Sequence, residues 1–210
     1  MPFMGSSRLL IALCIVLAIP PGVEGATIVC LGDSITAGLG LSDDQAYPAL
    51  VQDLAQHQGM SWTVINAGIS GDTTSGGLRR LDWLLKGKPD LMLIALGAND
   101  GMRGLPVAAS RANLLAMLER LDRAQVKAAL AGMLLPTNYG EDYRAAFAAI
   151  FPAVAQERKV PLLPFLLDGV GGIPALNQAD GIHPTAEGQR IIAAHVFAFL
   201  KTVMPAGRAP

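Results

Sequence analysis

Cysteine is scarce in this sequence: of its 210 residues only Cys14 and Cys30 carry a thiol. We predict that Cys14 lies in a leader that is removed and that Cys30 lies in an apolar strand. The mature protein would then have no internal disulfide and would depend on its core for stability. A lone cysteine within an apolar strand is typically an inert core residue.

Charged side chains are also few, at 16% of the residues, and they nearly cancel to a formal net charge of −1. No basic patch is present, which argues against nucleic acid as a partner. Nucleotide and metal motifs are lacking too, because no Walker lysine follows the glycine turns, no GxGxxG opens a helix and no HExxH occurs. We therefore expect neither a cofactor nor a metal.

Long hydrophobic runs are missing beyond the first residues of the chain. There, Arg8 precedes the apolar run Leu9 to Ile19, and a Pro-Pro-Gly turn and small residues follow it, an order typical of a secretory signal peptide. An uncleaved membrane anchor is the alternative, but the run is about half of the roughly 20 residues that a spanning helix needs. We predict a signal peptide over 1–25, one folded domain over 26–204 and a C-terminal tail over 205–210. The mature protein would be exported to the periplasm or secreted, without a stable membrane anchor, and is expected to be a monomer.

Short runs rich in Val, Ile and Leu alternate with segments of helical period, which predicts an α/β fold. We expect three layers, with a five-stranded parallel sheet covered by helices on both faces. The predicted strands are Thr27 to Leu31, Thr63 to Asn66, Leu91 to Leu96, Ala128 to Leu134 and Leu162 to Pro164. Helix faces are indicated by Leu50, Val51 and Leu54; by Leu114, Leu118 and Leu121; by Tyr143, Phe147, Ile150 and Val154; and by Ile192, Val196 and Phe199 in a last helix over about 185–200.

Polar and glycine-rich blocks follow the predicted strands. In open α/β sheets ligands bind outside the carboxyl ends of the strands, so these blocks are where chemistry is expected. They are Gly32-Asp33-Ser34, Ala67-Gly68-Ile69-Ser70-Gly71-Asp72, Gly97-Ala98-Asn99-Asp100, Pro136-Thr137-Asn138-Tyr139 and, after a longer loop, Asp180-Gly181-Ile182-His183-Pro184.

Nucleophilic acyl transfer needs a hydroxyl, a base within hydrogen-bond reach and an acid that orients the base. Ser34 directly follows a buried strand, so its hydroxyl is expected at the sheet edge, although an isolated serine there is more often a helix cap. His183 is the candidate base, and Asp180, three residues earlier, can fold back onto its other ring nitrogen. Pro184 is expected to start the last helix. The alternative is that Asp180 only caps a turn beside a surface histidine.

An oxyanion requires donors aimed at it, and this sequence offers three. Asn99 lies in a loop after a buried strand, where a side-chain amide would be costly to leave unbonded. Gly71 and Ser34 can contribute backbone N–H groups, while a tight turn is the preferred interpretation of Gly68. The carboxylates nearby are expected to order the loops by bonding neighbouring backbone. These are Asp33, Asp72 and Asp100.

The other histidines are weaker candidates for a base. His57 lies between two glutamines with a glycine behind it, which indicates the solvated end of a helix. His195 lies in the last helix near its apolar stripe and has no acid three residues before it, which favours a packed helical histidine.

Four of the blocks together resemble those of the GDSL or SGNH hydrolases. The family usually has leucine where this chain has Ile35, a conservative departure, and the likeness covers about residues 26–200. The resemblance implies the flavodoxin-like SGNH hydrolase fold and an acyl-enzyme mechanism. It implies Ser34 as nucleophile with Asp180 and His183, and an oxyanion hole of Ser34, Gly71 and Asn99. The four blocks are Gly32 to Ile35, Asn66 to Asp72, Gly97 to Asp100 and Asp180 to Pro184.

Within that family the stretches GANDGMRGL and PTNYG are similar to bacterial periplasmic esterases that act as acyl thioesterase, lysophospholipase and arylesterase. By this likeness the loop 99–105 borders the acyl chain. The apolar loop residues Met102, Leu105 and Tyr139, with the weak net charge, favour an acyl ester or thioester as the small-molecule substrate.

Three other interpretations remain. An α/β-hydrolase elbow could begin at Gly68, but its fifth position is Asp72 instead of glycine, and that motif expects an acid far from its histidine. A non-catalytic binding module could use the same flavodoxin-like sheet. A carbohydrate O-acetylesterase could use the same catalytic residues on a smaller acyl group.

Overall fold

The computed structural model describes residues 25–204. The predicted signal peptide, apart from Gly25, and the predicted C-terminal tail lie outside the described residues. Among the described helices, none has the length and apolar character needed to cross a membrane.

Five parallel strands form one sheet in the order β2-β1-β3-β4-β5, so the predicted α/β fold and its five-stranded parallel sheet are confirmed. The fourth strand ends at Ala131, three residues before the predicted end. The strands are β1 (Ala26–Gly32), β2 (Trp62–Gly68), β3 (Leu91–Ala95), β4 (Lys127–Ala131) and β5 (Leu162–Leu163).

Apolar runs fold into strands here because helices cover both faces of the sheet. Every residue of the central strand β3 is buried, and β1 is buried from Ile28 onward. A parallel sheet covered on both sides requires such unbroken apolar strands. Cys30, within β1, is fully buried, and burial raises the pKa of its thiol to about 12, which agrees with an inert core cysteine.

Two groups of helices form the outer layers. Helices α2 and α7 contact each other, whereas α5 contacts both α3 and α6. The helical stripes predicted for α2, α5, α6 and α7 are confirmed. The helices are α1 (Ser34–Ala37), α2 (Tyr47–His57), α3 (Thr74–Leu85), α4 (Ala98–Met102), α5 (Val107–Arg123), α6 (Glu141–Arg158) and α7 (Ala186–Val203).

Helix α3 was not predicted from the sequence. Its core-facing residues Leu81 and Leu84 are spaced for a helix, but the pair Gly76-Gly77 interrupts the apolar stripe. Both glycines are buried, and a Cβ on Gly77 would lie 2.2 Å from a methyl of Leu96, the residue directly after β3. Close packing of the helix on the sheet therefore explains the glycines that obscured the pattern.

The strand order places a crevice at one position of the sheet. Strand β1 pairs with β2 on one side and β3 on the other, and the chain reverses its direction of progress across the sheet between them. In doubly wound sheets this switch point, at the carboxyl ends of the strands, is where ligands bind. The blocks that begin with Gly32 and Gly97 follow the two strands that flank it.

Candidate active site

Ser34 is fixed at the carboxyl end of β1 by a very short helix. Asp33 caps α1, with its Oδ1 accepting a hydrogen bond of 3.0 Å from the N–H of Ile35. Gly32 allows this sharp entry, because a Cβ there would lie 1.9 Å from the Thr36 hydroxyl. Ser34 is consequently only 8% exposed, and its position is set by the core of the protein.

A chain of two short hydrogen bonds connects Ser34, His183 and Asp180. Nε2 of His183 lies 2.9 Å from Oγ of Ser34, and Nδ1 of His183 lies 2.6 Å from Oδ2 of Asp180. The structure thus brings together the three residues that the sequence singled out for acyl transfer. This is the geometry in which an imidazole can take a proton from a hydroxyl while a carboxylate holds its tautomer.

Asp180 is oriented by backbone donors. Its Oδ1 accepts hydrogen bonds of 2.9 Å from the N–H of Ile182 and 3.0 Å from that of His183. These backbone bonds, led by that of His183, and the imidazole itself lower the pKa of Asp180 to about 2. The carboxylate is therefore ionised at neutral pH.

The loop that carries His183 is held by amide side chains. The buried Asn177 donates to the carbonyls of Val170 and Ile173, at 2.8 and 2.9 Å. Gln178 also joins the loop to the rest of the molecule, through donation to Leu39 O at 2.7 Å.

Pro184 does not start the last helix, so that prediction was wrong. Helix α7 begins at Ala186, and Thr185 is its N-cap, with its hydroxyl accepting from the N–H of Gly188. Pro184 instead forms an isolated antiparallel bridge with Asn177. A threonine side chain satisfies one of the free N–H groups of the first turn, which a proline cannot do.

Asn99 contacts Asp33, the residue before Ser34, and Asn99 and Gly71 share Arg103 as a hydrogen-bond partner. The sequence predicted a loop at Asn99, but Asn99 lies in the short helix α4. This helix follows Gly97, which has a φ of 122°. The amide nitrogen of Asn99 donates to Oδ2 of Asp33 at 3.3 Å. Gly71 has a φ of 78°, in the left-handed region that favours glycine. Within residues 25–204 the backbone N–H groups of Ser34 and Gly71 donate no hydrogen bond, so both are free to meet a ligand.

The three carboxylates near the site order their surroundings, as predicted. Asp72 accepts from the N–H of Thr73 and from Arg80, and Asp100 accepts from both the N–H and the hydroxyl of Thr74. Asp33 differs from the other two, because burial raises its pKa to about 6 in spite of its hydrogen bonds.

Gly68 serves a close approach of two backbone segments and not the tight turn that was predicted. Its φ is not in the left-handed region, and a Cβ would lie 2.2 Å from the backbone nitrogen of Ala37. The end of β2 therefore packs directly under α1, the helix that begins with Ser34.

A largely apolar cavity of about 450 Å³ opens beside the site. Ile35, Ala98 and Ile182 line it and are next in sequence to Ser34, Asn99 and His183. Met102 is on its wall, but Leu105 and Tyr139 are not among the lining residues. The rest of the lining is Met133, Leu134, Leu135, Pro136, Thr137, Arg144, Phe165, Leu167, Gly171, Gly172, Asn177 and Gly181.

Two arginines of the site were missed in the sequence. Arg80 donates to Asp72 and to the carbonyls of Gly32 and Ala67, at the ends of β1 and β2. Arg103 donates to the carbonyl of Gly71 at 2.9 Å. Arg80 stands in no motif, and Arg103 lies within the stretch GANDGMRGL, but nothing in that stretch indicates that its side chain reaches Gly71.

The remaining histidines lie elsewhere. His57 is the exposed last residue of α2, as predicted. His195 is half-buried within α7, as predicted for a packed helical histidine. In the part of the chain that the structure describes, no three His, Cys, Asp or Glu side chains come together as a metal site.

Comparisons with known proteins place this chain in one family. Residues 30–191 match the sequence model of the GDSL-like Lipase/Acylhydrolase family. The chain is 44% identical over 179 residues to Esterase TesA of Pseudomonas aeruginosa, which covers 85% of this chain and 89% of that protein. It is 43% identical over 168 residues to Thioesterase 1/protease 1/lysophospholipase L1 of Escherichia coli K12, covering 80% and 79% of the two chains.

Two further proteins show the same relationship. The Arylesterase of Vibrio mimicus is 40% identical over 170 residues, covering 80% of this chain and 85% of that one. The crystal structure of psychrotrophic esterase EstA from Pseudoalteromonas sp., inhibited by monoethylphosphonate, superposes with a TM-score of 0.82 at 35% identity, covering 85% of this chain and 98% of that one.

Proposed function

Because this chain belongs to the GDSL-like lipase/acylhydrolase family and is an ester hydrolase, we propose that Ser34 is its nucleophile and that its substrates are acyl esters and thioesters. The observation that carries the proposal is the continuous hydrogen-bonded series from Ser34 Oγ through His183 to Asp180, at 2.9 and 2.6 Å.

Acylation follows from this geometry. Oγ of Ser34 attacks the acyl carbonyl carbon while Nε2 of His183 takes the hydroxyl proton. Ionised Asp180 stabilises the imidazolium that results. The tetrahedral intermediate then collapses, the bond to the alcohol or thiol breaks, and His183 returns the proton to that leaving group. The product is an acyl ester on Ser34.

The negative charge on the carbonyl oxygen needs donors that are already in place. We assign this role to the N–H groups of Ser34 and Gly71 and to the side-chain amide of Asn99. Donors held by the fold stabilise the transition state without reorganisation, which is commonly the largest electrostatic contribution to catalysis.

Deacylation uses the same residues in the reverse order. Water gives a proton to Nε2 of His183 as its oxygen attacks the acyl carbon, and Ser34 recovers the proton when the acid leaves. The reaction needs no group beyond the protein and water.

Labelling with a fluorophosphonate probe tests the nucleophile. We expect Ser34→Ala to abolish covalent labelling and ester turnover, because within residues 25–204 the hydroxyl that hydrogen-bonds to His183 is that of Ser34. Ser70→Ala is the matched control, since Ser70 is exposed and is the serine that an α/β-hydrolase elbow would use. Labelling of Ser34→Ala at the wild-type rate would overturn the proposal.

The apolar cavity supports acyl chains longer than acetyl. Its volume of about 450 Å³ is typical of a small-molecule site, and its walls next to Ser34 and Asn99 are the apolar Ile35 and Ala98. Each methylene buried there contributes up to about 0.8 kcal/mol. We expect kcat/KM for octanoyl nitrophenyl ester to exceed that for acetyl by at least about tenfold.

A variant of the cavity wall sharpens this test. Leu167→Trp should lower turnover of the octanoyl ester and leave the acetyl ester unaffected, because Leu167 lines the cavity and takes no part in the hydrogen bonds of Ser34, His183 and Asp180. A preference for acetyl in both proteins would favour the carbohydrate O-acetylesterase instead.

Export of the mature enzyme is part of the proposal. It is supported by the sequence alone, through Arg8, the apolar run Leu9 to Ile19 and the Pro-Pro-Gly turn that follows. N-terminal sequencing of the protein expressed from its full reading frame in a bacterial host should give a start near Ala26; retention of Met1 would contradict it.

A further inference from the structure

The side-chain amide of Asn99 lies between two charged groups of opposite sign. Its nitrogen donates to Oδ2 of Asp33 at 3.3 Å, and its oxygen accepts from Nη2 of Arg103 at 3.4 Å. The same Nη2 donates to the carbonyl oxygen of Gly71 at 2.9 Å. Arg103 therefore touches both residues that, besides Ser34, are proposed to bind the oxyanion.

These contacts determine which way the amide points. A guanidinium can only donate and an ionised carboxylate can only accept, so the amide oxygen must face Arg103 and the nitrogen must face Asp33. Rotation of the amide by half a turn would set donor against donor on one side and acceptor against acceptor on the other. Of the two N–H bonds of Asn99, one goes to Asp33 and the second remains for the substrate.

Arg103 also links the loop after β2 to α4, in addition to the hydrogen bonds that Asp100 of α4 accepts from Thr74 at the start of α3. Gly71 lies in the loop after β2, and Asn99 and Arg103 lie in and directly after α4, which follows β3. If Gly71 carried a Cβ, the nearest heavy atom would be Nη2 of Arg103, at 3.3 Å. The guanidinium thus rests directly against Gly71.

The exposed Arg103 is not engaged in a surface ion pair. Among residues 25–204, it is absent from the arginines that contact a carboxylate. Its side-chain hydrogen bonds go to Gly71 and Asn99. A long exposed side chain loses conformational entropy when it is ordered, and here the contacts that offset this loss are those with Gly71 and Asn99.

We propose that Arg103 is a positioning residue of the oxyanion hole: its guanidinium, opposite the Asp33 carboxylate, orients the Asn99 amide and tethers the Gly71 loop to α4. The inference rests on the proposed function, because it assumes that Asn99 and Gly71 bind the oxyanion. Arg103 acts through these residues and forms no bond to the reacting atoms.

Substitution of the guanidinium tests the proposal. Arg103→Met keeps an apolar stem and removes the donors; we expect kcat to fall about 5- to 30-fold with KM changed less than about twofold, as for an interaction that acts in the transition state. Arg103→Lys should recover part of the loss, since an ammonium can donate to one of the two oxygens. Arg79→Met is the matched control: among the described residues the exposed Arg79 side chain donates to Ser75 Oγ and not to Gly71 or Asn99, and the variant should leave kcat and KM unchanged.

A double-mutant cycle separates positioning from a general structural role. In an Asn99→Ala background, Arg103→Met should reduce kcat by less than about threefold, because the amide it orients is gone. The melting temperatures of both variants should match their parents, as expected for an exposed side chain.

An equal loss of kcat in both backgrounds, or no loss in either, would overturn the proposal. Failure of the proposed function would be distinguishable, because Ser34→Ala would then retain probe labelling whatever the Arg103 variants do.

Discussion

Ser34 and His183 meet in one hydrogen bond but are supported by very different parts of the molecule. Ser34 follows a strand that is buried from Ile28 onward and starts a helix that packs on Gly68. His183 lies in a long connection between β5 and α7, in which the structure has only one 3₁₀ turn, Pro174–Leu176, besides an isolated bridge. The nucleophile is thus positioned by the core, and the base by a few hydrogen bonds within a loop, some from amide side chains and some between backbone groups, such as that from Gln178 N–H to the carbonyl of His183 at 2.7 Å.

The carboxylates of the two regions show the same contrast. Asp33, beside Ser34, is 1% exposed, and burial raises its pKa to about 6. The side chain of Asp180 is 46% exposed, and hydrogen bonds from His183 and Ile182 lower its pKa to about 2. At neutral pH the ionisation of Asp33 therefore lowers the free energy of unfolding, whereas that of Asp180 raises it. We therefore expect substitutions beside His183 to affect mainly kcat, and substitution of Asp33 to affect mainly the free energy of unfolding.

The largest effect is expected on the base side. Asp180→Asn removes the charge that holds the His183 tautomer and stabilises the imidazolium, and we expect kcat to fall by about 10³ to 10⁴. The free energy of unfolding at pH 7 should fall only slightly, because the Asp180 side chain is 46% exposed and solvent weakens the contribution of its hydrogen bonds. Steady-state kinetics and urea unfolding of the same preparation measure both quantities.

Asp168→Asn is the matched control for this variant. Asp168 is exposed on the same long connection and makes no side-chain contact with His183, so its substitution should alter neither quantity. A loss of less than tenfold in Asp180→Asn would show that the carboxylate is not the partner that His183 needs.

The nucleophile side was predictable from the sequence because its signals are local. Five apolar runs marked the strands, and in parallel sheets the residues that follow them share one edge. The spacing of Asp180 and His183 was also readable, since three residues form a single turn. The strand-end rule and this spacing together predicted Ser34, His183 and Asp180 from the sequence.

What the sequence did not predict depends on tertiary packing. Helix α3 was hidden by glycines that are needed for contact with the sheet. Arg103 reaches Gly71 only because β2 and β3 flank β1, and the apolar character of Leu105 and Tyr139 says nothing about which way their side chains face. Pro184 was misjudged because a capping threonine followed it, and capping depends on local backbone geometry.

The second-largest effect is expected on the nucleophile side, in the free energy of unfolding. Folding raises the pKa of Asp33 from 3.8 to about 6, so the folded protein binds more protons than the unfolded chain between these pH values. The free energy of unfolding of the wild type therefore falls as pH rises through that window and stays lower above it. Asp33→Asn lacks this loss and should be more stable than the wild type at pH 8, by at most about 3 kcal/mol, with the difference vanishing below about pH 4.

Urea unfolding at pH 4 and pH 8 measures this difference. Part of the gain is offset, because an amide at position 33 would set a donor against either Ile35 N–H or the Asn99 amide. For the same reason we expect kcat to fall. Asp180→Asn is the opposite control, since its lowered pKa gives stability that is present above about pH 4 and lost as pH falls toward 2. A lower stability of Asp33→Asn at pH 8 would mean that its hydrogen bonds outweigh the cost of burial.

The smallest effect should come from Gln178, whose side chain joins the two regions. Its amide nitrogen donates to the carbonyls of Leu39, just beyond α1, and of Pro184, directly after His183, at 2.7 and 3.0 Å. Gln178→Met keeps the side-chain volume and removes both bonds, so we expect about 1 kcal/mol less free energy of unfolding and a two- to fivefold lower kcat. Gln58→Met, at the exposed end of α2, is the control and should change neither quantity.

The two outcomes for Gln178→Met have different meanings. Loss of stability without loss of kcat would show that the connection positions His183 by itself. Loss of kcat at unchanged stability would show that the position of His183 depends on the region that holds Ser34.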